Sequence, residues 1–204
     1  MVKIIFIGPQ GSGKGTQAKI ISEELKIPHI STGDLFRSLE GPLKEEVDSV
    51  INQGKLVPDE LTVKILKERI SKPDCKPGFI LDGFPRNIAQ ANMLDKITKI
   101  DKVIEINISD ELAVERISSR WSCKKCGTIF NTATNPPKRQ NICDKCQGEL
   151  YRRADDNPEA IKKRLETYHR ETEPILKKYK NISVKIDGEQ EIDKISEEIL
   201  DVLK

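Results

Sequence analysis

Long apolar runs, net charge and histidine are all scarce in this 204-residue chain. No apolar stretch approaches the roughly 20 residues that a membrane-spanning helix needs. Thirty-five Lys and Arg against 33 Asp and Glu leave a net charge of +2, so the chain has no general attraction for nucleic acid or anionic membranes. The two histidines, His29 and His169, are expected to be structural, and no Ser–His–Asp or Cys–His arrangement predicts a covalent nucleophile.

The first residues are not expected to form a secretion signal. Residues 1–8 are apolar but short, and they run into a glycine-rich loop without a cleavage-like end. Four of the five cysteines fall in two Cys-x-x-Cys pairs, which favours reduced thiols on a metal over disulfides. We therefore expect a cytoplasmic protein. Its 36% hydrophobic and 33% charged residues are typical of a soluble globular chain.

Apolar segments of strand length alternate with amphipathic segments of helical length. This alternation predicts an α/β fold with a parallel sheet covered on both faces. Strands are expected at residues 2–7, near 29, and at 79–81, 103–108 and 182–186; helices at about 14–25, between 32 and 71, at 110–120, from 157, and at 192–203.

One segment interrupts the alternation. Residues 122–150 lack long apolar periodicity and contain Pro136-Pro137 and both cysteine pairs. Such a segment is not expected to bury a core of its own, so another interaction must hold it together. We interpret it as an inserted lid. After it, Asn157 and Pro158 should start one long helix, which Pro174 bends.

A glycine-rich loop follows the first strand and opens the first helix. Its sequence is GPQGSGKGT, in which Gly8, Gly13 and Lys14 have the spacing of a phosphate-binding loop. The glycines let backbone N–H groups converge on phosphate oxygens, and the helix N-terminus and Lys14 add positive charge. The general pattern has Ser or Thr directly after the lysine, whereas here Gly15 intervenes and Thr16 carries the hydroxyl. The loop predicts a nucleoside triphosphate site.

Two other segments end at the same edge of the predicted sheet. STGDLFR opens the second helix, and DGFPR follows a strand. Ligands of open parallel sheets bind at the carboxyl ends of the strands, so we expect Gly8, Thr32 and Arg86 to face one crevice. For Arg37 alone, a solvated surface position is an equal alternative.

The motifs GxxGxGKGT, STGDLxR and DGFPR, in this order and at these intervals, resemble adenylate kinase over nearly the whole chain. The displaced Thr16 is a feature of that family. Two departures are Gln10, where the family usually has Pro, and a slightly shorter arm between Arg37 and Gly54. The resemblance implies the fold of a P-loop NTPase, with an AMP-binding helical arm and an inserted zinc-ribbon lid. It places the core at 1–30, 55–121 and 157–204, the arm at 31–54 and the lid at 122–156.

The resemblance implies the reversible, Mg²⁺-dependent reaction ATP + AMP = 2 ADP. An AMP phosphate oxygen attacks the γ-phosphorus of ATP in line, so catalysis is positioning plus charge stabilisation, and lid closure excludes water. The expected partners are ATP, AMP and ADP, with no nucleic acid or membrane, and the expected state is a monomer.

The resemblance also assigns roles residue by residue. The expected ATP-binding residues are Gly11, Ser12, Gly13, Lys14, Gly15, Thr16, Arg116 and Arg120. The expected AMP-binding residues are Thr32, Arg37, Leu56, Val57, Gly83, Arg86, Gln90, Arg153 and Arg164, with Gln90 at the adenine edge. The expected catalytic residues are Lys14, Arg86, Arg120, Arg153 and Arg164, and Asp82 is expected to bind Mg²⁺ through water.

The lid arginines fall into two pairs. Arg116 and Arg120 lie four apart and are expected to share one helix face at the lid entrance. Arg153 and Arg164 flank the lid exit, with two adjacent carboxylates between them, Asp155 and Asp156. Those carboxylates are expected to position the arginines, cap the following helix, or both.

The cysteine pairs predict a metal site in the lid. Cys123 and Cys126 are separated from Cys143 and Cys146 by a spacing typical of zinc ribbons. Four thiolates leave no open position, so we expect a structural Zn²⁺ rather than a catalytic one. A redox dithiol and bound iron are the alternatives. Cys75 stands apart and is expected to be a packing or surface residue.

Two other functions are open to the sequence. A different nucleoside monophosphate kinase, acting on UMP or CMP, would share most of the motifs, although Thr32 and Gln90 favour adenine. A nucleic-acid-binding zinc ribbon would use the basic residues of the lid. The lid has few aromatics to stack bases, however, and the net charge is small.

Overall fold

The computed structural model describes residues 2–53 and 55–204. Met1 and Gly54, the first residue of the predicted core and the last of the predicted arm, lie outside them. Five parallel strands form the central sheet: β1 (Val2–Ile7), β2 (His29–Ser31), β3 (Gly78–Asp82), β4 (Lys102–Asn107) and β8 (Ser183–Asp187). Their order in the sheet is β2-β3-β1-β4-β8. The predicted parallel sheet is confirmed.

Helices connect the strands and flank the sheet. They are α1 (Lys14–Leu25), α2 (Thr32–Arg37), α3 (Pro42–Ile51), α4 (Asp59–Ile70), α5 (Ile88–Asp95), α6 (Asp110–Ser118), α7 (Pro158–Thr167), α8 (Ile175–Lys178) and α9 (Ile192–Leu203). No helix within the described residues has the length and hydrophobicity needed to cross a membrane.

The apolar run of β1 supplies both faces of the core, because successive side chains of a strand point to opposite faces. Ile4 and Phe6 pack in one buried cluster with residues of α1 and α9. Ile5 and Ile7 pack in a second cluster with residues of α4 and α5. All four side chains are at most 2% exposed, so the sheet is covered on both faces, as predicted.

The inserted segment forms a second, antiparallel sheet. Its strands are β5 (Arg120–Cys123), β6 (Ile129–Asn131) and β7 (Leu150–Tyr151), in the order β6-β5-β7. Phe130 and Leu150 are buried together with Cys123 and Cys143, and Trp121 packs against them. The expectation that this segment buries no core of its own is therefore wrong. The three short strands bring together apolar side chains whose positions along the chain follow no regular period.

Two helix predictions are also wrong. Helix α6 ends at Ser118, and Arg120 begins β5, where it pairs with Asn131. Arg116 and Arg120 therefore do not share a helix face. The long helix after Asn157 is divided into α7, a π-helical turn from Tyr168 to Thr172, and α8. Pro174 directly precedes α8 and has no N–H with which to continue the α-helical pattern. Asn157 does cap α7, since its side chain accepts a hydrogen bond from the Ala160 N–H.

Candidate nucleotide site

The carboxyl ends of the three neighbouring strands β2, β3 and β1 open onto one cleft of about 510 Å³. The volume falls in the range of pockets that hold small ligands. Every residue predicted above to contact a nucleotide or Mg²⁺ lines this cleft. They are Gly11, Ser12, Gly13, Lys14, Gly15, Thr16, Thr32, Arg37, Leu56, Val57, Asp82, Gly83, Arg86, Gln90, Arg116, Arg120, Arg153 and Arg164.

The glycine loop joins the end of β1 to the start of α1. Gly13, directly before the helix, has φ 92°, a left-handed conformation that glycine adopts without strain. A Cβ at Gly8 would lie 2.2 Å from the carbonyl oxygen of Ile106, so only glycine lets the loop pass this close to β4. The loop thus presents its backbone and the N-terminus of α1 to the cleft, a favourable arrangement for an anion.

Lys14 carries the only side-chain amine of the loop. Its Nζ donates to the carbonyl oxygens of Gly8 and Pro9, both at 2.7 Å, and lies 3.3 Å from the Ser12 hydroxyl. Burial lowers the pKa of Lys14 to about 8, and the positive charges of Arg86, Arg164 and Arg120 act in the same direction, against Asp82. An anion in the cleft would favour the charged form of this lysine.

Asp82 ends β3, directly beside the glycine loop. Its Oδ2 lies 3.3 Å from His29 Nε2 and would be 3.4 Å from a Cβ at Gly15. Burial raises the pKa of Asp82, but the His29 contact and the Lys14 charge outweigh it, and the net shift is downward. An ionised carboxylate at this place suits a hydrated Mg²⁺, which binds oxygen ligands and keeps several waters.

Arg86 is held from three sides. Its Nε donates to the Gly83 carbonyl at 2.8 Å, its N–H donates to Gln90 Oε1 at 2.7 Å, and its carbonyl accepts from the Thr172 hydroxyl at 2.7 Å. Thr32 Oγ1 also donates to the Gly83 carbonyl, at 2.9 Å. Burial, followed by the charge of Arg164, lowers the pKa of Arg86 to about 10. The guanidinium is thus preorganised in a site already rich in positive charge.

The lid arginines meet the two adjacent carboxylates between the lid and α7. Arg120 donates from Nε to Asp156 Oδ2 at 2.9 Å and from Nη2 to Asp156 Oδ1, which makes a bidentate pair. Arg164 Nη1 lies 2.9 Å from Asp155 Oδ2 and 3.3 Å from Asp156 Oδ1. The side chain of Asp156 is 0% exposed, and those of Arg120 and Arg164 are 11% and 14% exposed. The carboxylates therefore fix the position of these two guanidiniums.

The other three arginines have separate supports. Arg153 donates to the Ser122 hydroxyl at 3.1 Å, Arg116 to the Gly188 carbonyl at 2.9 Å, and Arg37 pairs with Asp34 at 2.6 Å. Burial, followed by the charge of Arg120, lowers the pKa of Arg153 to about 10. Two further predicted residues are apolar: Val57 is buried against residues of α2 and α3, and Leu56, next to it in the chain, is half-buried.

The four lid cysteines form a compact cluster. Their Sγ atoms all lie within 4.8 Å of one another, with 3.4 Å between Cys123 and Cys146 and 3.6 Å between Cys126 and Cys143. Zn–S bonds of about 2.3 Å in a tetrahedron place sulfurs about 3.8 Å apart, so the cluster fits a Zn²⁺ ion. Four protein ligands leave no coordination position for a substrate.

Sequence reasoning missed two side chains that support this site. Thr172 binds the Arg86 carbonyl from the π-helical turn, and Asp59 accepts a hydrogen bond from Gln90. In the sequence, Pro58-Asp59 indicates only the start of a helix. No motif around Thr172 indicates a contact with the site. Both contacts join segments far apart along the chain.

Comparisons with known proteins agree with the geometry. The family model described as adenylate kinase matches residues 6–184. The chain is 48% identical over 212 residues to a protein from Clostridioides difficile, covering 99% of this chain and 98% of the relative. It is 46% identical to proteins from Caldicellulosiruptor bescii and Thermosipho melanesiensis, which cover 99% and 100% of both chains. All three relatives are named adenylate kinase.

Proposed function

Because the chain belongs to the adenylate kinase family, we propose that its cleft holds ATP on the glycine loop and AMP beside Arg86, and transfers the γ-phosphoryl group between them. An adenylate kinase is a phosphotransferase. It binds ATP, AMP and ADP and uses Mg²⁺ with ATP. The observation that carries the proposal is that the residues predicted for both nucleotides line one cleft.

The donor half consists of the glycine loop and the residues around it. Backbone N–H groups of residues 11–16 bind phosphate oxygens, and Lys14 exchanges its contacts with the Gly8 and Pro9 carbonyls for the β- and γ-phosphates. Mg²⁺ bound with ATP would supply positive charge against these phosphates. Asp82 would hold that ion through water, and Thr16 lines the same cleft.

The acceptor half lies at the ends of β2 and β3. Arg86 and Arg37 bind the AMP phosphate, and Thr32 and Gly83 also contact AMP. Leu56 and Val57 enclose the adenine. Gln90 binds the adenine edge. This arrangement brings the attacking oxygen and the γ-phosphorus together, which removes much of the entropic cost of a two-substrate reaction.

The arginines of the lid and its borders stabilise the charge that spreads over the transferred group. An AMP phosphate oxygen bonds to the γ-phosphorus as the bond to the β–γ bridging oxygen breaks, and two ADP molecules result. Arg86, Arg120, Arg153 and Arg164 all line the cleft and surround the transferred group in this proposal. Asp155 and Asp156 hold Arg120 and Arg164 in place, and closure of the lid over the cleft excludes water.

The cysteine cluster has a structural role in this account. Zn²⁺ bound by Cys123, Cys126, Cys143 and Cys146 would hold the lid strands together, supplementing a small apolar cluster. We further propose a monomer in the cytoplasm. The large exposed apolar residues of the described chain, such as Leu43 and Val114, lie apart in the sequence, and none of its five cysteines forms a disulfide.

Substitution of Lys14 tests the assignment of the donor half. Lys14→Met should reduce turnover by at least ~100-fold, because one preorganised charge at the transferred group contributes about that much. The melting temperature should stay near that of the wild type. Lys67→Met is the matched control, since Lys67 is an exposed lysine on α4. Near-normal turnover by Lys14→Met would remove this lysine from the proposed role.

A further inference from the structure

A hydrogen-bond network surrounds Gln90, a buried residue that is 2% exposed. Its Oε1 accepts from the backbone N–H of Arg86 at 2.7 Å, and its Nε2 donates to Asp59 Oδ1 at 2.7 Å. Each end of the amide therefore has one partner from the protein. One hydrogen on Nε2 and one lone pair on Oε1 remain for a ligand.

The two partners determine which way the amide faces. A backbone N–H only donates, and an ionised carboxylate only accepts. Rotating the amide by half a turn would place its NH₂ group against the Arg86 N–H and its oxygen against the Asp59 carboxylate. Both contacts would be repulsive. The order of acceptor and donor that Gln90 presents to the cleft is thus imposed by Arg86 and Asp59.

Asp59 is itself fixed at the start of α4. Asn87 Nδ2 lies 3.0 Å and 3.2 Å from its two carboxylate oxygens. Asn87 caps α5, because its Oδ1 accepts from the Gln90 N–H at 2.7 Å. The Asp59 carboxylate therefore links the first turns of α4 and α5. These hydrogen bonds hold it in one position.

The order of donor and acceptor is what distinguishes adenine from hypoxanthine. Adenine has an amino donor at N6 beside an acceptor at N1, whereas hypoxanthine has a carbonyl acceptor at position 6 beside an N1–H donor. A fixed amide matches one pattern and opposes the other, and an opposed pattern leaves buried polar groups unpaired. We propose that Asp59 is a positioning residue that makes the site select AMP over IMP. This inference rests on the proposed placement of AMP against Gln90.

Kinetics with AMP and IMP as alternative acceptors test the inference. Asp59→Ala should lower the ratio of kcat/KM for AMP to that for IMP by about tenfold, the effect of losing one hydrogen bond to a charged group. The KM for ATP should not change. Asp59→Asn keeps one acceptor oxygen, and Oδ1 alone is within reach of both Gln90 and Asn87. This variant should therefore recover most of the ratio.

Two further variants separate the inference from the function on which it rests. Glu60→Ala removes an exposed carboxylate from the same helix turn and should leave the AMP/IMP ratio unchanged. Gln90→Ala should abolish most of the discrimination. If Gln90→Ala does so while Asp59→Ala does not, the positioning role is wrong and the AMP site stands. If Gln90→Ala leaves the ratio unchanged, the placement of AMP is wrong and the role of Asp59 falls with it.

Discussion

Removing the charge of Asp156 should lower the free energy of unfolding more than removing the charge of an exposed carboxylate does. Asp156→Asn keeps the size of the side chain, so packing is little changed. The side chain is 0% exposed, and it faces two guanidiniums that are themselves 11% and 14% exposed. Breaking a buried ion pair in this way costs about 3–5 kcal/mol. Because Asp155 still neutralises Arg164, we expect the lower end, about 3 kcal/mol.

Calorimetry can measure this cost directly. For a chain of this size, about 3 kcal/mol corresponds to a melting temperature lower by about 6–12 °C. Glu159→Gln, in the exposed first turn of α7, is the control and should cost under about 1 kcal/mol. A non-hydrolysable ATP analogue should raise the melting temperature of Asp156→Asn more than that of the wild type, because we expect its phosphates to bind beside the freed guanidiniums. A decrease under about 2 °C would refute the idea that Asp156 compensates buried charge here.

The other predictions concern the lid metal, Lys14 and His169. Cys126→Ser should lower zinc content and melting temperature more than activity at low temperature; lost activity with unchanged stability would contradict a structural metal. The kcat/KM for ATP should fall as pH rises through about 8, because the pKa of Lys14 is lowered to that value and the uncharged amine does not bind phosphate. A kcat/KM for ATP that stays constant up to pH 9.5 would contradict this role of the Lys14 charge. The His169 ring lies within hydrogen-bond distance of the Glu173 and Asp110 carboxylates, which accept from its N–H groups and raise its pKa. The stabilisation from His169 should thus be complete below about pH 6.5, its unfolded pKa, and disappear as pH rises through the folded pKa. His169→Gln should be less stable than the wild type at pH 5.5 and equal to it at pH 8.5, by thermal melts.

The sequence predicts those parts of the site that depend on local structure. The glycine loop needs only a strand before it and a helix after it, and α1 has the predicted bounds. Thr32 follows β2, Asp82 ends β3 and Arg86 comes soon after it, and parallel strands bring their carboxyl ends to one edge. These residues therefore meet at one cleft for reasons that can be derived without coordinates.

Other features depend on contacts between distant segments. Arg120 lies in a strand rather than on α6 because β5 pairs with β6 and β7, and nothing in residues 116–120 indicates that pairing. The bond between Asp59 and Gln90 needs α4 and α5 to lie side by side. The carboxylates Asp155 and Asp156 were expected beside arginines, but which guanidinium each one contacts follows from the packing of the lid against α7.

The choice of acceptor nucleotide tests the central claim most directly. Initial rates of ADP formation should be measured for the purified protein with ATP, Mg²⁺ and AMP, and matched reactions should contain UMP or CMP. AMP should be phosphorylated at least ~10-fold faster than either pyrimidine nucleotide, because the proposed acceptor site, with Gln90, Leu56 and Val57, matches adenine. Faster phosphorylation of UMP or CMP would contradict the proposed acceptor site.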